Sequence, residues 1–236
     1  MSLFASLLQF IRDPQNDFLG HTGDTLRMSL LSIVLAILLG APIGVLVARR
    51  PVAAFVAASI AGVARAVPVL AFIVFLYAVV PFFHVGLTIP VIVLTLLGIP
   101  PILLNTISGL RGIDPAVVDA GRGMGMTPWQ ILTRIQLPLV LPVLAAGIRT
   151  AAVQIVATSP LSSIIGAGGY GEYITAGLSN LADPTELLAG GLAIALLALL
   201  TEVVLARLQR IVTPVGVRQA APQEAVEEEG IEAQAA

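Results

Sequence analysis

Residue types that could support catalysis are few and scattered in this chain. It contains no cysteine, which excludes a thiolate nucleophile, a disulfide and an iron–sulfur site. Its two histidines, His21 and His84, are far apart and outside any metal-ligand spacing. No Gly-x-x-x-x-Gly-Lys-Ser/Thr sequence is present to bind ATP phosphates. We therefore expect no bound cofactor or metal and no catalytic site in the chain itself.

One charged stretch shows an ordered pattern of helix caps. Asp114-Pro115 and Thr127-Pro128 each place a capping side chain before a proline suited to the first helical position. Gly125 lies between the two pairs and can end the first helix in a left-handed conformation. We predict a helix–glycine–helix elbow, whose apolar face would fit a groove on a partner protein. Two arginines flank this face, Arg122 and Arg134.

The surrounding sequence is strongly apolar. Hydrophobic residues make up 57% of the 236 positions and charged residues only 11%, whereas soluble domains are about 25% charged. Residues 28–48 and 85–110 contain no charge at all, and about 20 apolar residues cross a bilayer core. The composition predicts an all-α polytopic protein embedded in a lipid bilayer.

We predict five transmembrane helices, with Thr25 or Ser29 opening the first and Pro81 ending the second. The spans cover approximately residues 28–48, 65–80, 85–107, 138–160 and 187–206. Residues 51–64 would form a helix of about 21 Å, too short for a core of about 30 Å. We interpret this segment as an interfacial lead-in to the second span, and residues 4–11 as an interfacial helix.

Arginine supplies all 12 basic residues, and its distribution orients the spans. The loops on one side of the predicted spans, residues 81–84 and 161–186, contain no basic residue, whereas the loops on the other side are rich in arginine. The positive-inside rule then predicts that the N-terminus, with the outer-side segment 1–24, faces outward. Residues 213–236 are rich in glutamate and predict a disordered acidic cytoplasmic tail after the membrane-spanning domain, residues 25–212. The arginines assigned to the cytoplasmic loops are Arg49, Arg50, Arg111, Arg122, Arg134, Arg207, Arg210 and Arg218.

The elbow sequence resembles the permease subunits of bacterial ABC importers. Their motif is Glu-Ala-Ala, three residues, Gly, nine residues and Ile-x-Leu-Pro. Here Asp119-Ala120-Gly121, Gly125 and Ile135-Gln136-Leu137-Pro138 keep that spacing, with Asp for Glu and Gly for the second Ala. The resemblance implies a type I importer permease fold, with the coupling loop, residues 111–138, seated in a cleft of an ATPase subunit. The residues it assigns to ATPase coupling are Asp119, Ala120, Gly121, Arg122, Gly125, Trp129, Ile135, Leu137 and Pro138.

Further segments are similar to the permeases for quaternary amines. These are Arg65-Ala66-Val67-Pro68 and residues 98–106, 109–115 and 147–151. The resemblance implies import of glycine betaine, choline or carnitine, delivered by a periplasmic or lipid-anchored binding protein. It also implies ATP and Mg²⁺ on the partner ATPase, and a second permease that is either identical or a sibling. It implies no nucleic-acid partner.

Two other functions stay open. Permeases for D-methionine are similar in length and in the glycine loop, so an amino acid or another small zwitterion is the alternative cargo. A self-sufficient secondary transporter would require intramembrane acids for ion coupling or an inverted repeat, and it is the lower alternative.

Arg149 lies inside the predicted fourth span, where a charge is costly and needs a partner. We expect contact with Asn105, Gln154 or a backbone carbonyl. Both a structural role and an encounter with a substrate carboxylate remain open. Tyr77 and Pro100 complete the candidates for the substrate pathway.

A glycine run on the predicted outer side contains Gly166, Gly168 and Gly169, followed by Tyr170. No strand precedes it and no Lys-Ser/Thr follows, so it is not a phosphate loop. The family resemblance places it near an outer gate. A flexible or close-packed turn is the other interpretation.

Overall fold

The computed structural model describes residues 3–80, 86–180 and 184–212, and every regular element in these ranges is helical. A 3₁₀ turn covers Pro14–Asn16, a π-helix Leu132–Gln136 and a second 3₁₀ segment Ser159–Ile165. The predicted tail, residues 213–236, and Pro81 lie outside the described residues. The α-helices are α1 Leu3–Arg12, α2 Phe18–Ala48, α3 Pro51–Ala66, α4 Val69–Val79, α5 Thr88–Arg111, α6 Pro115–Gly123, α7 Pro128–Ile131, α8 Leu137–Thr158, α9 Gly171–Ser179 and α10 Thr185–Val212.

Four helical stretches in the described ranges are long and apolar enough to cross a bilayer. α3 and α4 together make a fifth candidate, with a bend of 88° between them. The bend follows from Pro68, because a residue before proline avoids the helical region and Val67 is extended at ψ 123°. The prediction that the second span begins near Arg65 is therefore wrong, since Arg65 lies in the last turn of α3. The four unbroken stretches are Pro14–Ala48, Thr88–Arg111, Pro128–Ile165 and Thr185–Val212.

The first long helix begins earlier than expected. Asp17 adopts a left-handed conformation at φ 43°, and its carboxylate accepts a hydrogen bond from the amide of Gly20 at 3.2 Å. This cap starts α2 at Phe18, so the predicted start at Thr25 or Ser29 is wrong. Thr25 is instead buried inside the helix, where its hydroxyl donates to the carbonyl of His21 at 2.8 Å.

α5 is the central helix of the bundle. The apolar stretch of α5 is 61% buried, whereas that of α10 is only 11% buried. Close approach of α2 and α8 to α5 depends on glycines. A Cβ on Gly44 would lie 2.7 Å from Cβ of Thr106, and a Cβ on Gly147 would lie 2.7 Å from Cβ of Asn105. Small residues of this kind let helix backbones pack closely in a membrane.

The segment between α8 and α10, interpreted from sequence as a loop, is largely helical. It contains the 3₁₀ segment Ser159–Ile165 and then α9. α9 packs tightly against α10, because a Cβ on Gly177 would lie 2.4 Å from the amide nitrogen of Leu187.

Candidate functional site

The first helix of the elbow forms as the caps predict. The carboxylate of Asp114 accepts a hydrogen bond from the amide of Ala116 at 2.8 Å, and α6 starts at Pro115. α6 ends at Gly123, and Gly125 turns the chain at φ 78°. The predicted cap at Asp114 and the left-handed turn at Gly125 are confirmed.

The second helix of the elbow is locked by a reciprocal cap. The amide of Thr127 donates to Oε1 of Gln130 at 2.8 Å, and the Thr127 hydroxyl accepts from the amide of Gln130 at 3.3 Å. From α7 the helix continues through the π-helix Leu132–Gln136 directly into α8. Leu137 and Pro138 therefore lie in the first turn of α8, and no break separates the elbow from the membrane-spanning helix.

The inner face of the elbow is packed around Gly121. This residue is buried, and a Cβ there would lie 2.9 Å from Cδ1 of Ile135 and 3.4 Å from Cγ1 of Ile131. Ile131 is itself buried. The second alanine position of the motif, here Gly121, and its isoleucine position, Ile135, thus form one contact that holds α6 against α7 and the π-helix.

The outer face of the elbow exposes large apolar side chains. Trp129 is 71% exposed and Met124 is 72% exposed. Beside them Asp119 and Arg122 form an ion pair at 2.9 Å, and both side chains are exposed. An exposed tryptophan next to a polar rim is typical of a protein-docking surface.

Arg149 pairs with a residue that the sequence did not suggest. Its Nε lies 3.3 Å from Oε1 of Glu202 on α10. The expected contact with Asn105 is wrong, because the amide of Asn105 donates to the carbonyl of Pro101 in its own helix at 2.8 Å. Gln154 lies half-buried on α8 and makes no hydrogen bond with Arg149 among the described residues. Packing of α10 against α8 brings the two charges together.

The other pathway candidates do not join this pair in one site. Pro100 lines an apolar cavity of about 420 Å³ between α2, α3, α4 and α5. Arg65 and Phe72 also line this cavity, whereas Tyr77 lies on α4, is 38% exposed and is not among the lining residues.

The glycine run is a close-packed turn held against α2. Gly166, Gly168 and Gly169 all have positive φ, between 73° and 81°. The amide of Tyr170 donates to the hydroxyl of Thr25 at 3.0 Å, and a Cβ on Gly169 would lie 2.7 Å from that same oxygen. We call this contact between residues 166–170 and the start of α2 the latch.

A cluster of aromatic side chains beside the latch is not evident from the sequence. Tyr173 is buried and donates a hydrogen bond to the carbonyl of Asn16, and its ring contacts His21 edge-on at 4.6 Å. Burial raises the pKa of Tyr173 to about 12, and the nearby negative charge of Asp17 adds to the effect. The phenol therefore stays neutral and keeps its donor role at ordinary pH. Only the tertiary contact of α9 with residues 16–21 brings these groups together.

Comparison with known proteins gives a consistent result. A family model described as the binding-protein-dependent transport system inner membrane component matches residues 28–215. The carnitine transport permease protein OpuCB of Listeria monocytogenes is 37% identical over 215 residues, which cover 91% of this chain and 97% of that protein. The glycine betaine/carnitine/choline transport system permease protein OpuCB of Bacillus subtilis (strain 168) is 32% identical over 212 residues, which cover 90% of this chain and 96% of that protein.

A solved structure shares the fold. A chain of the MetNI methionine ABC transporter, in an inward-facing conformation, superposes with a TM-score of 0.71 at 25% identity. The likeness covers 84% of this chain and 96% of that one. The family implies that a binding protein and an ATPase work with such permeases. This chain is a multi-pass inner-membrane protein and belongs to the family of binding-protein-dependent transport permeases.

Proposed function

We propose that this chain is the translocating subunit of an ATP-driven importer for small quaternary amines. The observation that carries the mechanism is the elbow, which combines an exposed Trp129 with an unbroken helical connection to α8. The chain has no phosphate-binding loop of its own, so a separate ATPase must supply the energy and hold ATP with Mg²⁺.

The elbow is the surface that binds the ATPase. Trp129 and Met124 enter a cleft of that subunit, and the charged rim of Asp119 and Arg122 orients them. The other coupling residues act through geometry: Gly125 sets the turn, and Gly121 with Ile135 keeps the two helices together. Ala120 is exposed on α6, while Leu137 and Pro138 carry motion into α8.

Arginine placement supports one orientation for the complex. The elbow and the C-terminal end of α10 face the cytoplasm, and the latch faces outward. Counting α3 and α4 as one bent span gives five spans with the N-terminus outside. Five spans are few for enclosing a pathway, so a second permease, identical or a sibling, completes it. The binding protein docks on the outward side, where residues 166–170 form part of the gate.

The cargo is inferred from the relatives. The relative with 37% identity is named for carnitine. The relative with 32% identity is named for glycine betaine, carnitine and choline. An amino acid such as methionine is the second candidate, favoured by the structural likeness to a methionine transporter. Arg149, Asn105, Gln154, Tyr77 and Pro100 remain candidates for the pathway.

The cargo is tested by uptake into proteoliposomes that contain the permease, its ATPase and its binding protein. We expect saturable, ATP-dependent uptake of glycine betaine, carnitine or choline. Uptake of methionine without any response to a quaternary amine would overturn this assignment of the cargo.

The coupling surface is tested by Trp129→Ala. Because Trp129 is 71% exposed, the fold should be unaffected, while co-purification with the ATPase and transport should both be lost. Ile211→Ala is the matched control, since Ile211 is 79% exposed on α10 and lies outside the elbow. Normal ATPase binding by the Trp129 variant would exclude the elbow as the main contact.

A further inference from the structure

Arg149 and Glu202 form a charge pair at the middle depth of the spanning helices. Arg149 follows the start of α8 at Leu137, and Glu202 precedes the end of α10 at Val212. At 1.5 Å per residue, Arg149 lies about 18 Å beyond Leu137, where the elbow passes into α8, and Glu202 lies about 15 Å before the end of α10. This depth is close to the centre of a hydrocarbon core about 30 Å thick. Charges at such depth are costly and mark functional positions.

The pair is loose and open to a ligand. The distance between Nε of Arg149 and Oε1 of Glu202 is 3.3 Å, and the side chains are 34% and 42% exposed. Within the part of the chain that the structure describes, neither charged group makes a hydrogen bond. A guanidinium has five N–H donors and a carboxylate about four acceptor sites. Most of this binding capacity is therefore unused.

The helix face beside the pair carries small and polar side chains. Thr150 and Ala157 are exposed on α8, and the half-buried Gln154 lies between them with its amide unpaired among the described residues. The outer face of α10 differs, since it exposes large apolar side chains that suit acyl chains. These are Leu192, Leu196, Leu199, Leu200, Val203 and Val204. The α8 face is therefore smaller and more polar than the outer face of α10, which suits contact with protein or water better than contact with lipid.

We infer that Arg149 and Glu202 together bind the zwitterionic substrate inside the membrane. The substrate carboxylate replaces Glu202 on the guanidinium of Arg149, and the quaternary ammonium, which has no N–H to donate, lies against the carboxylate of Glu202. This inference rests on the proposed function and names the substrate class within it.

The exchange is favourable because it never exposes an isolated charge. One ion pair opens and two form when the zwitterion enters, so the net charge of the site stays zero throughout. When the substrate leaves, the two side chains close on each other again. Choline carries the cation but no carboxylate, so its entry would leave Arg149 without a counter-charge. The site therefore favours glycine betaine and carnitine over choline.

The test compares glycine betaine with choline in the complete transporter, reconstituted with its ATPase and binding protein. In Arg149→Gln the ratio of betaine uptake to choline uptake should fall about tenfold or more, because a hydrogen-bonded contact with a charged group is lost. In Arg207→Gln, which removes an arginine of α10 near its elbow-side end, the ratio should not change. Since the binding protein is the same in each assay, a changed ratio reports on the permease.

A second variant tests whether a changed ratio comes from the loss of a charge or from misfolding. The exchange Arg149→Glu with Glu202→Arg keeps the attraction between α8 and α10 but reverses its polarity. In this double variant the ratio should recover toward the wild-type value, because the site again holds both charges and the zwitterion can bind in the reverse direction.

The outcomes separate this inference from the proposed function. A wild-type betaine-to-choline ratio in Arg149→Gln would show that the pair only joins two helices, and would overturn the inference alone. Absence of any quaternary amine uptake by the wild-type transporter would overturn the proposed function and this inference with it.

Discussion

Gly121 on α6 and Ile135 in the π-helix are in such close contact that a Cβ on the glycine would lie 2.9 Å from Cδ1 of the isoleucine. The contact joins two positions of the ABC permease motif directly. The contact therefore favours a small residue at position 121. A long side chain there would push α6 away from α7 and change the shape of the docking surface.

Gly121→Ala should be tolerated, whereas Gly121→Leu should not. The close atom is the flexible end of Ile135, which can shift, and alanine in a helix is favoured over glycine by about 0.5–1 kcal/mol. Leucine would overfill the contact. We expect normal ATPase binding and uptake for the alanine variant and loss of both for the leucine variant, measured by co-purification and transport. Equal activity of the two variants would contradict the packing role of Gly121.

Gly125 should be replaceable by Asn but not by Val. No atom lies within 4 Å of an added Cβ, so space is not limiting, but φ is 78°. Asn adopts this left-handed conformation readily, whereas a β-branched residue is strained there by about 1–2 kcal/mol. The valine variant should hydrolyse ATP with reduced coupled uptake, while the asparagine variant stays close to wild type. The ratio of substrate transported to ATP hydrolysed measures this, and equal ratios would contradict it.

Gly147→Ala should destabilise the bundle. Its Cβ would meet Cβ of Asn105 at 2.7 Å and the backbone carbonyl of Pro101 at 2.9 Å, and neither can move without separating α8 from α5. Overpacking of this kind costs about 1–3 kcal/mol. Thermal unfolding of the detergent-solubilised protein should show it. Gly191→Ala is the control, since no atom lies within 4 Å of its Cβ.

Alkaline pH should loosen the aromatic cluster at Tyr173. The pKa of this phenol is raised from 10.0 to about 12, so the fold favours the protonated form. Its contribution is therefore complete below about pH 10 and is lost as the pH rises through about 12. Tyr173→Phe should remove this part of the pH dependence of stability. Unfolding temperatures measured between pH 9 and 12 would show parallel curves for variant and wild type if the shift were absent.

Local patterns predicted the elbow well. The structure has both caps that precede a proline, at Asp114 and at Thr127, and the left-handed turn at Gly125. Each of these features depends only on neighbouring residues. The motif spacing also identified the family. The sequence did not predict the π-helix, because its formation depends on how α7 joins α8.

Long-range contacts could not be predicted from the sequence. Glu202 reaches Arg149 only because α10 packs against α8, and no local pattern encodes that arrangement. Thr25 looked like a helix cap, but it is buried in α2 and accepts a hydrogen bond from the amide of Tyr170. The early start of α2 came from Asp17, a cap in a left-handed conformation that is uncommon outside glycine.

The unbroken helical stretch from Pro128 to Ile165 makes the elbow one end of a lever. With 38 residues it is about 57 Å long at 1.5 Å per residue, longer than the bilayer core is thick. A tilt of about 5° at the Trp129 end would displace the far end by about 5 Å, by the same geometry. That far end is next to Gly166, where the latch begins. A small rotation applied at the elbow would thus be enlarged at the opposite end of this stretch.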